Sequence, residues 1–249
     1  MTDRSIRIQI WIVVALSLGR SGGYALVELI RKATLPGGIG GQTATLNASR
    51  DDRQVFDLVY QLLGIGFALV PVALALYLLS LDPVKEKVSE RLGLDRGHVR
   101  FDALWGAGLA AVIGLPGLAL YGVGRLLGLT TQIIPAPDIS YWWTVPVLIL
   151  AALQNAILEE VVVIGYLTTR LRQMRWGVAA TIVAAAALRG SYHLYQGVGP
   201  GFGNFVMGLV FGYWFHRTRR VMPLVVAHTI LDVVAFVGYL LLADTLGLK

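Results

Sequence analysis

The sequence predicts an all-α fold, a polytopic transmembrane helical bundle of seven or eight spans, and three observations predict it. Of the 249 residues, 56% are hydrophobic and only 14% are charged, whereas soluble domains carry about a quarter charged residues. The mean hydropathy is +0.67. Apolar runs of roughly twenty residues, the length that crosses the hydrocarbon core as a helix, follow one another from end to end with no long polar segment between them. The length alone would allow one or two soluble domains, but this pattern predicts one membrane domain over residues 1–249.

The runs place spans at 8–30, 55–80, 101–127, 141–167, 177–196, 202–216 and 221–243. The first follows Arg4 and Arg7 as a signal peptide would, but it is longer than such a segment and six more runs follow, so it reads as a retained helix. Pro36 to Arg53, rich in Gly, Thr and Asn, reads as a polar loop without chemistry. Residues 82–100 open with Asp82–Pro83 and alternate charges at helical spacing, which predicts a short, solvated surface helix. The glycines between Gly197 and Gly203 allow a turn that re-enters the membrane. Gly208 and Gly212 have the small-xxx-small spacing of closely packed membrane helices, here read as internal packing.

The formal charge is +6, yet the basic residues fall in short clusters between apolar runs, the distribution of cytoplasmic loops. Nucleic acid is therefore not an expected partner; the lipid bilayer is. With the N-terminus inside, thirteen Lys and Arg residues lie in inner segments and six in outer ones, which predicts a cytoplasmic N-terminus and, for seven spans, an outer C-terminus. The plasma membrane of a bacterium is the expected location. Cysteine is absent, which excludes disulfides, thiolate metal ligands and a cysteine nucleophile.

A carboxylate at mid-membrane costs about 2.5–3.5 kcal/mol on insertion scales, so ionisable groups inside spans face the bundle interior and mark function. Three spans contain them. The fourth places Asn155, Glu159 and Glu160 in an apolar run, the fifth ends with Arg189 and His193, and the seventh contains His228 and Asp232. Asn155–Glu159, Arg189–His193 and His228–Asp232 are each four residues apart, so each helix carries one polar stripe. Burying the stripes against one another leaves the fewest unpaired polar groups in lipid, which predicts that the three helices converge.

In this order the motifs resemble the CPBP family of intramembrane proteases, also called the Abi or CAAX-protease family, over residues 141–240. That family carries a Glu-Glu pair, then Phe-x-x-x-His, then His-x-x-x-Asn/Asp on successive helices, matched here by Glu159–Glu160, His193, and His228 with Asp232. Two positions depart from it. Ile164 stands where the family has an Arg, and Arg189 stands in place of the Phe. The expectation is that Arg189 supplies the missing positive charge from the neighbouring helix and pairs with Glu160.

The resemblance implies an endopeptidase in which Glu159 activates water, His193 holds that water, and His228 with Asp232 stabilises the oxyanion and positions the peptide. It implies a membrane-associated peptide or protein substrate and no catalytic metal. Zinc on Glu159, His193 and His228 is the competing account, since the family is often labelled metalloprotease and these groups are suitable ligands. A peptide-binding or immunity protein without catalysis is a second class, and an ion-coupled transporter a third. No internal repeat of the kind many transporters show is visible. Nothing in the sequence selects a substrate or an oligomeric state.

Overall fold

The computed structural model describes residues 2–135 and 141–242. The chain begins with α1 (Asp3–Ala15) and α2 (Leu18–Thr34), which meet at 54°. At the bend the Ser17 hydroxyl donates to the Val13 carbonyl at 2.6 Å, taking an acceptor from the helix ladder at a Ser/Gly site, a usual origin of kinks. The first expected span is therefore two helices. Next come α3 (Gln54–Ala68) and α4 (Val70–Ser80), which run together as one apolar segment. The short α5 (Val88–Arg91) and the long α6 (Val99–Leu126) follow.

The central rod is continuous over Thr144–Gln173: α7 (Thr144–Glu159), a π-helical stretch Glu160–Leu167, and α8 (Thr168–Gln173). More than half of its apolar window, 56%, is buried, against 17% to 28% in the other long spans. A helix apolar on every side belongs inside the protein, and the run Val161–Ile164 packs there with Tyr166, Phe211 and Leu224. The widened π turn leaves carbonyls off the regular ladder. The Thr168 hydroxyl takes that of Ile164, and the Thr169 hydroxyl takes that of Gly165 at 2.6 Å.

Around the rod stand α9 (Val178–Ser191), α10 (Val198–Thr218) and α11 (Met222–Leu242). A Cβ at Gly208 would lie 2.8 Å from the Ala186 Cα, and one at Gly212 would lie 3.0 Å from an Ile182 methyl. The two glycines thus let α9 and α10 touch within one chain.

Among the described residues four helices are long and apolar enough to cross a membrane, five if the bent α1–α2 pair counts as one span. Together with the apolar exterior, this makes the chain an integral membrane protein. The expected seven spans also count α9 and α10. With 14 residues, α9 is about 21 Å long at 1.5 Å per residue, short of a hydrocarbon core of about 30 Å.

Two connectors differ from the sequence reading. Within Pro36–Arg53, β1 (Thr43–Thr45) pairs in parallel with β2 (Gln132–Ile134), so the polar loop is fastened through its backbone. In residues 82–100 the α-helix before Val99 is only the single turn α5, with a 3₁₀ turn at Arg96–His98, and Asp82 caps neither. It is buried and receives Arg170 Nη1 at 2.7 Å and Arg91 Nη2 at 2.9 Å.

Candidate active site

The structure gathers Glu159 and Glu160 from the central rod, Arg189 from α9 and His228 from α11 into one buried cluster. Arg189 Nη1 donates to Glu160 Oε1 at 2.6 Å, and Arg189 Nη2 lies 3.3 Å from Glu159 Oε2. The guanidinium also stacks over the Phe211 ring at 5.3 Å, a desolvated cation–π contact. Arg189 and Glu160 are both 0% exposed. A charge this deep persists only when paired, and the pair is supplied across helices because Ile164, the nearer position, is apolar and equally buried.

His228 Nδ1 lies 2.8 Å from Glu160 Oε1 and 3.2 Å from Arg189 Nη2. Both contacts cannot be hydrogen bonds at once. A proton on Nδ1 donates to the carboxylate and leaves the arginine as a neighbour only. The other ring nitrogen, Nε2, then faces Asp232 Oδ1 at 3.7 Å, beyond hydrogen-bond range. Asn155 Nδ2 donates to Asp232 Oδ2 at 3.3 Å, so the third stripe is tied to the first.

The two adjacent glutamates have different surroundings. Consecutive residues on a helix diverge by about 100°, and here Glu160 turns into the fully enclosed side. Its Oε1 serves both Arg189 and His228, and its Oε2 is buried without a partner among the described residues. Glu159 is 8% exposed and uses only Oε2, which accepts from the Tyr192 hydroxyl at 2.8 Å. Among the described residues no donor reaches Glu159 Oε1. Each glutamate thus has an oxygen without a donor, but only Glu159 keeps that oxygen on a side chain with some exposure, 8% against 0% for Glu160.

His193 sits one residue beyond Tyr192, their rings 4.8 Å apart. Its Nδ1 is 3.0 Å from the Arg189 carbonyl. A carbonyl only accepts, so Nδ1 carries the proton and Nε2 presents a lone pair. The expected spans put this histidine too far from Glu159 in depth, and the reason for the mismatch is the assumed end of the Glu helix at 167. The rod runs on to Gln173, which sets Glu159 about 21 Å from that end, and His193 lies about 22 Å beyond the start of α9 by the same rise. Tyr192 is the site residue that sequence reasoning missed. Its signal was a hydroxyl beside a histidine at the end of an apolar run.

Among the described residues, the ligand atoms close enough to share a metal ion are those of Glu159, Glu160 and His228, within 4.8 Å of one another. The set differs from the expected one, with Glu160 in the place of His193. Two carboxylates and an imidazole suit zinc in kind. They do not fit it as arranged, because the Arg189 guanidinium already lies against both carboxylates.

Residues 141–234, which contain every one of these side chains, match the family model described as Type II CAAX prenyl endopeptidase Rce1-like. Over that segment the chain is similar to the CPBP family. The family is thus one of CAAX endopeptidases, and the cluster lies wholly within the part of the chain that carries the likeness. No curated protein and no solved structure matches the chain.

Proposed function

We propose that the protein is an intramembrane endopeptidase that hydrolyses a peptide bond in or beside the bilayer with a water activated by Glu159, without a catalytic metal. The observation that carries this reading is the unequal treatment of two neighbouring carboxylates: Glu160 is fully enclosed with one oxygen spent on Arg189 and His228, and Glu159, 8% exposed, keeps an accessible oxygen for chemistry. The family match supports the reaction class.

Water lies between Glu159 Oε1 and His193 Nε2, both hydrogen-bond acceptors. Glu159 takes one water proton as the oxygen attacks the scissile carbonyl carbon. The carbonyl π electrons move to oxygen, and His228, protonated on both nitrogens, donates Nε2–H to that oxyanion. Glu160 accepts from Nδ1–H, and the Asp232 carboxylate, 3.7 Å from Nε2, favours the cation by its charge while leaving Nε2–H for the oxyanion. Asp232, steered by Asn155, acts through His228 and not on the oxyanion itself, which a carboxylate would repel. Collapse of the intermediate breaks the C–N bond as Glu159 returns its proton to the leaving amine.

Arg189 takes no part in bond making. It offsets the charge of Glu160 so that the rod can keep two acids at this depth. The substrate is a membrane-associated peptide or protein, and the orientation is N-terminus inside, in a bacterial plasma membrane.

The reading is tested by comparing new protein N-termini in membranes of cells that make the wild-type chain or Glu159→Gln at matched levels. Termini present only with wild type are expected, and they name the substrate. Identical termini from two folded proteins, with the cellular effect retained in the mutant, would instead identify a peptide-binding protein.

A further inference from the structure

We propose that Lys32, on α2 and outside the family-matched segment, is a positioning residue for His193; the inference rests on His193 being the histidine that holds the water. Lys32 is 4% exposed. Lysines near a membrane boundary usually extend their ammonium to water, and this one turns inward. Its Nζ donates to the carbonyl oxygen of Tyr195 at 2.8 Å and to that of Thr43 at 3.0 Å, with Glu28 Oε1 3.7 Å away.

Tyr195 belongs to a one-turn 3₁₀ helix, Leu194–Gln196, that follows directly on His193. So short a turn has few bonds of its own: Gln196 N–H to the His193 carbonyl at 3.1 Å and Gly197 N–H to the Leu194 carbonyl at 2.9 Å. Its outward carbonyls are taken by groups from before residue 141. Lys32 holds that of Tyr195, and the Thr131 N–H and hydroxyl both hold that of Gln196 at 3.0 Å. Gly197 closes the turn at φ +116°, where a Cβ would lie 2.5 Å from the Leu129 carbonyl oxygen. The backbone of His193 is therefore referenced to α2 and to the 129–131 loop as well as to α9.

An ammonium spent on two backbone carbonyls, 163 and 11 residues away in sequence, fixes a place more than it adds apolar stability. Displacing a catalytic group by about 1 Å costs on the order of 100-fold in rate, and a turn held this way is displaced when its clamp is cut. Lys32→Met keeps the length of the side chain and removes its donors.

The test uses the full chain in detergent micelles with ¹⁵N-labelled histidine. The protein has four histidines, and His193→Gln identifies the signal of the fifth-span one. In Lys32→Met the ring signals of His193 should lose their Nδ1-protonated pattern while those of His228 stay in place. For a cleaved substrate, kcat should fall on the order of 100-fold with KM kept, and Lys32→Arg should restore part of both. Unchanged His193 signals in Lys32→Met, or equal changes in all four histidines, would overturn the proposal. Should Lys32→Met fail to accumulate, Lys32→Gln, with a shorter neutral donor, is held to the same outcomes. A wild-type chain without hydrolysis would sink the protease reading, while the ring spectra would still decide the clamp.

Discussion

Arginine–carboxylate contacts of two kinds occur in this bundle: two networks at helix ends, Asp82 with Arg170 and Arg91 and Asp102 with Arg220, and one cluster at the middle of the central rod. In the first kind, every carboxylate oxygen of Asp82 and Asp102 has a donor. Asp82 receives Arg170 at 2.7 Å and Arg91 and Gln173 at 2.9 Å, and Asp102 receives Arg220 at 2.8 Å on both oxygens. Burial would raise the Asp82 carboxyl, and the hydrogen bonds from Arg170, Arg91 and Gln173 hold it below its ordinary value. In the central cluster Arg189 faces two acids and satisfies one of them. A saturated network holds helices together. An unsaturated one, with Glu159 Oε1 left open, has an atom to give to a reaction.

Removing Arg189 is the strongest way to break that contrast. Arg189→Met leaves Glu160 charged and uncompensated in a fully buried position, which should destabilise the protein by about 3–5 kcal/mol, read as a fall in thermal unfolding temperature in detergent. Adding Glu160→Gln should recover part of the loss. Strictly additive losses in the double variant would mean that the two groups do not act as a pair.

A smaller effect is expected from the saturated cluster. Asp82→Asn keeps the shape and removes the charge opposite Arg170 and Arg91, so stability should drop by about 1–3 kcal/mol with turnover of the folded fraction unchanged. Loss of turnover like that of Glu159→Gln would erase the distinction between the two clusters.

The smallest effect is that of acid on the end of the bundle that carries Asp95. Asp95 is held down to about 2 by the Gly97 N–H and by Arg220, below an unfolded value of about 3.9. Because the folded value is the lower one, its contribution is complete above about pH 4 and is lost as pH falls towards about 2. Amide exchange of residues 82–102 should rise over that window before that of the central rod does. A rise confined to neutral or alkaline pH would contradict the assignment.

Much of the site was legible in the residues themselves. Asn155 with Glu159, Arg189 with His193, and His228 with Asp232 are spaced one helical turn apart in apolar runs, and such stripes have to meet. The pairing of Arg189 with Glu160 follows from the same reasoning, since a charge at Arg189 in an apolar helix needs an acid and Ile164 offers no competing cation. Tyr192 was not legible, because a tyrosine near the end of a span has an ordinary explanation as an interfacial side chain. The length of the central rod was not legible for a related reason: the Arg-containing stretch Thr168–Gln173 looks like the end of a span, and its burial against Asp82 is made by a residue 88 positions away.

The sequence by itself determined that this chain is a bundle of membrane helices with three polar stripes, because hydropathy and helical spacing are local properties of adjacent residues. The tertiary structure decided which glutamate is open and which is consumed, how deep His193 sits, and that Lys32 and Thr131 clamp its turn. Those are matters of partners, and the partners of a buried polar group are chosen by distance in space, which the order of residues along the chain does not record.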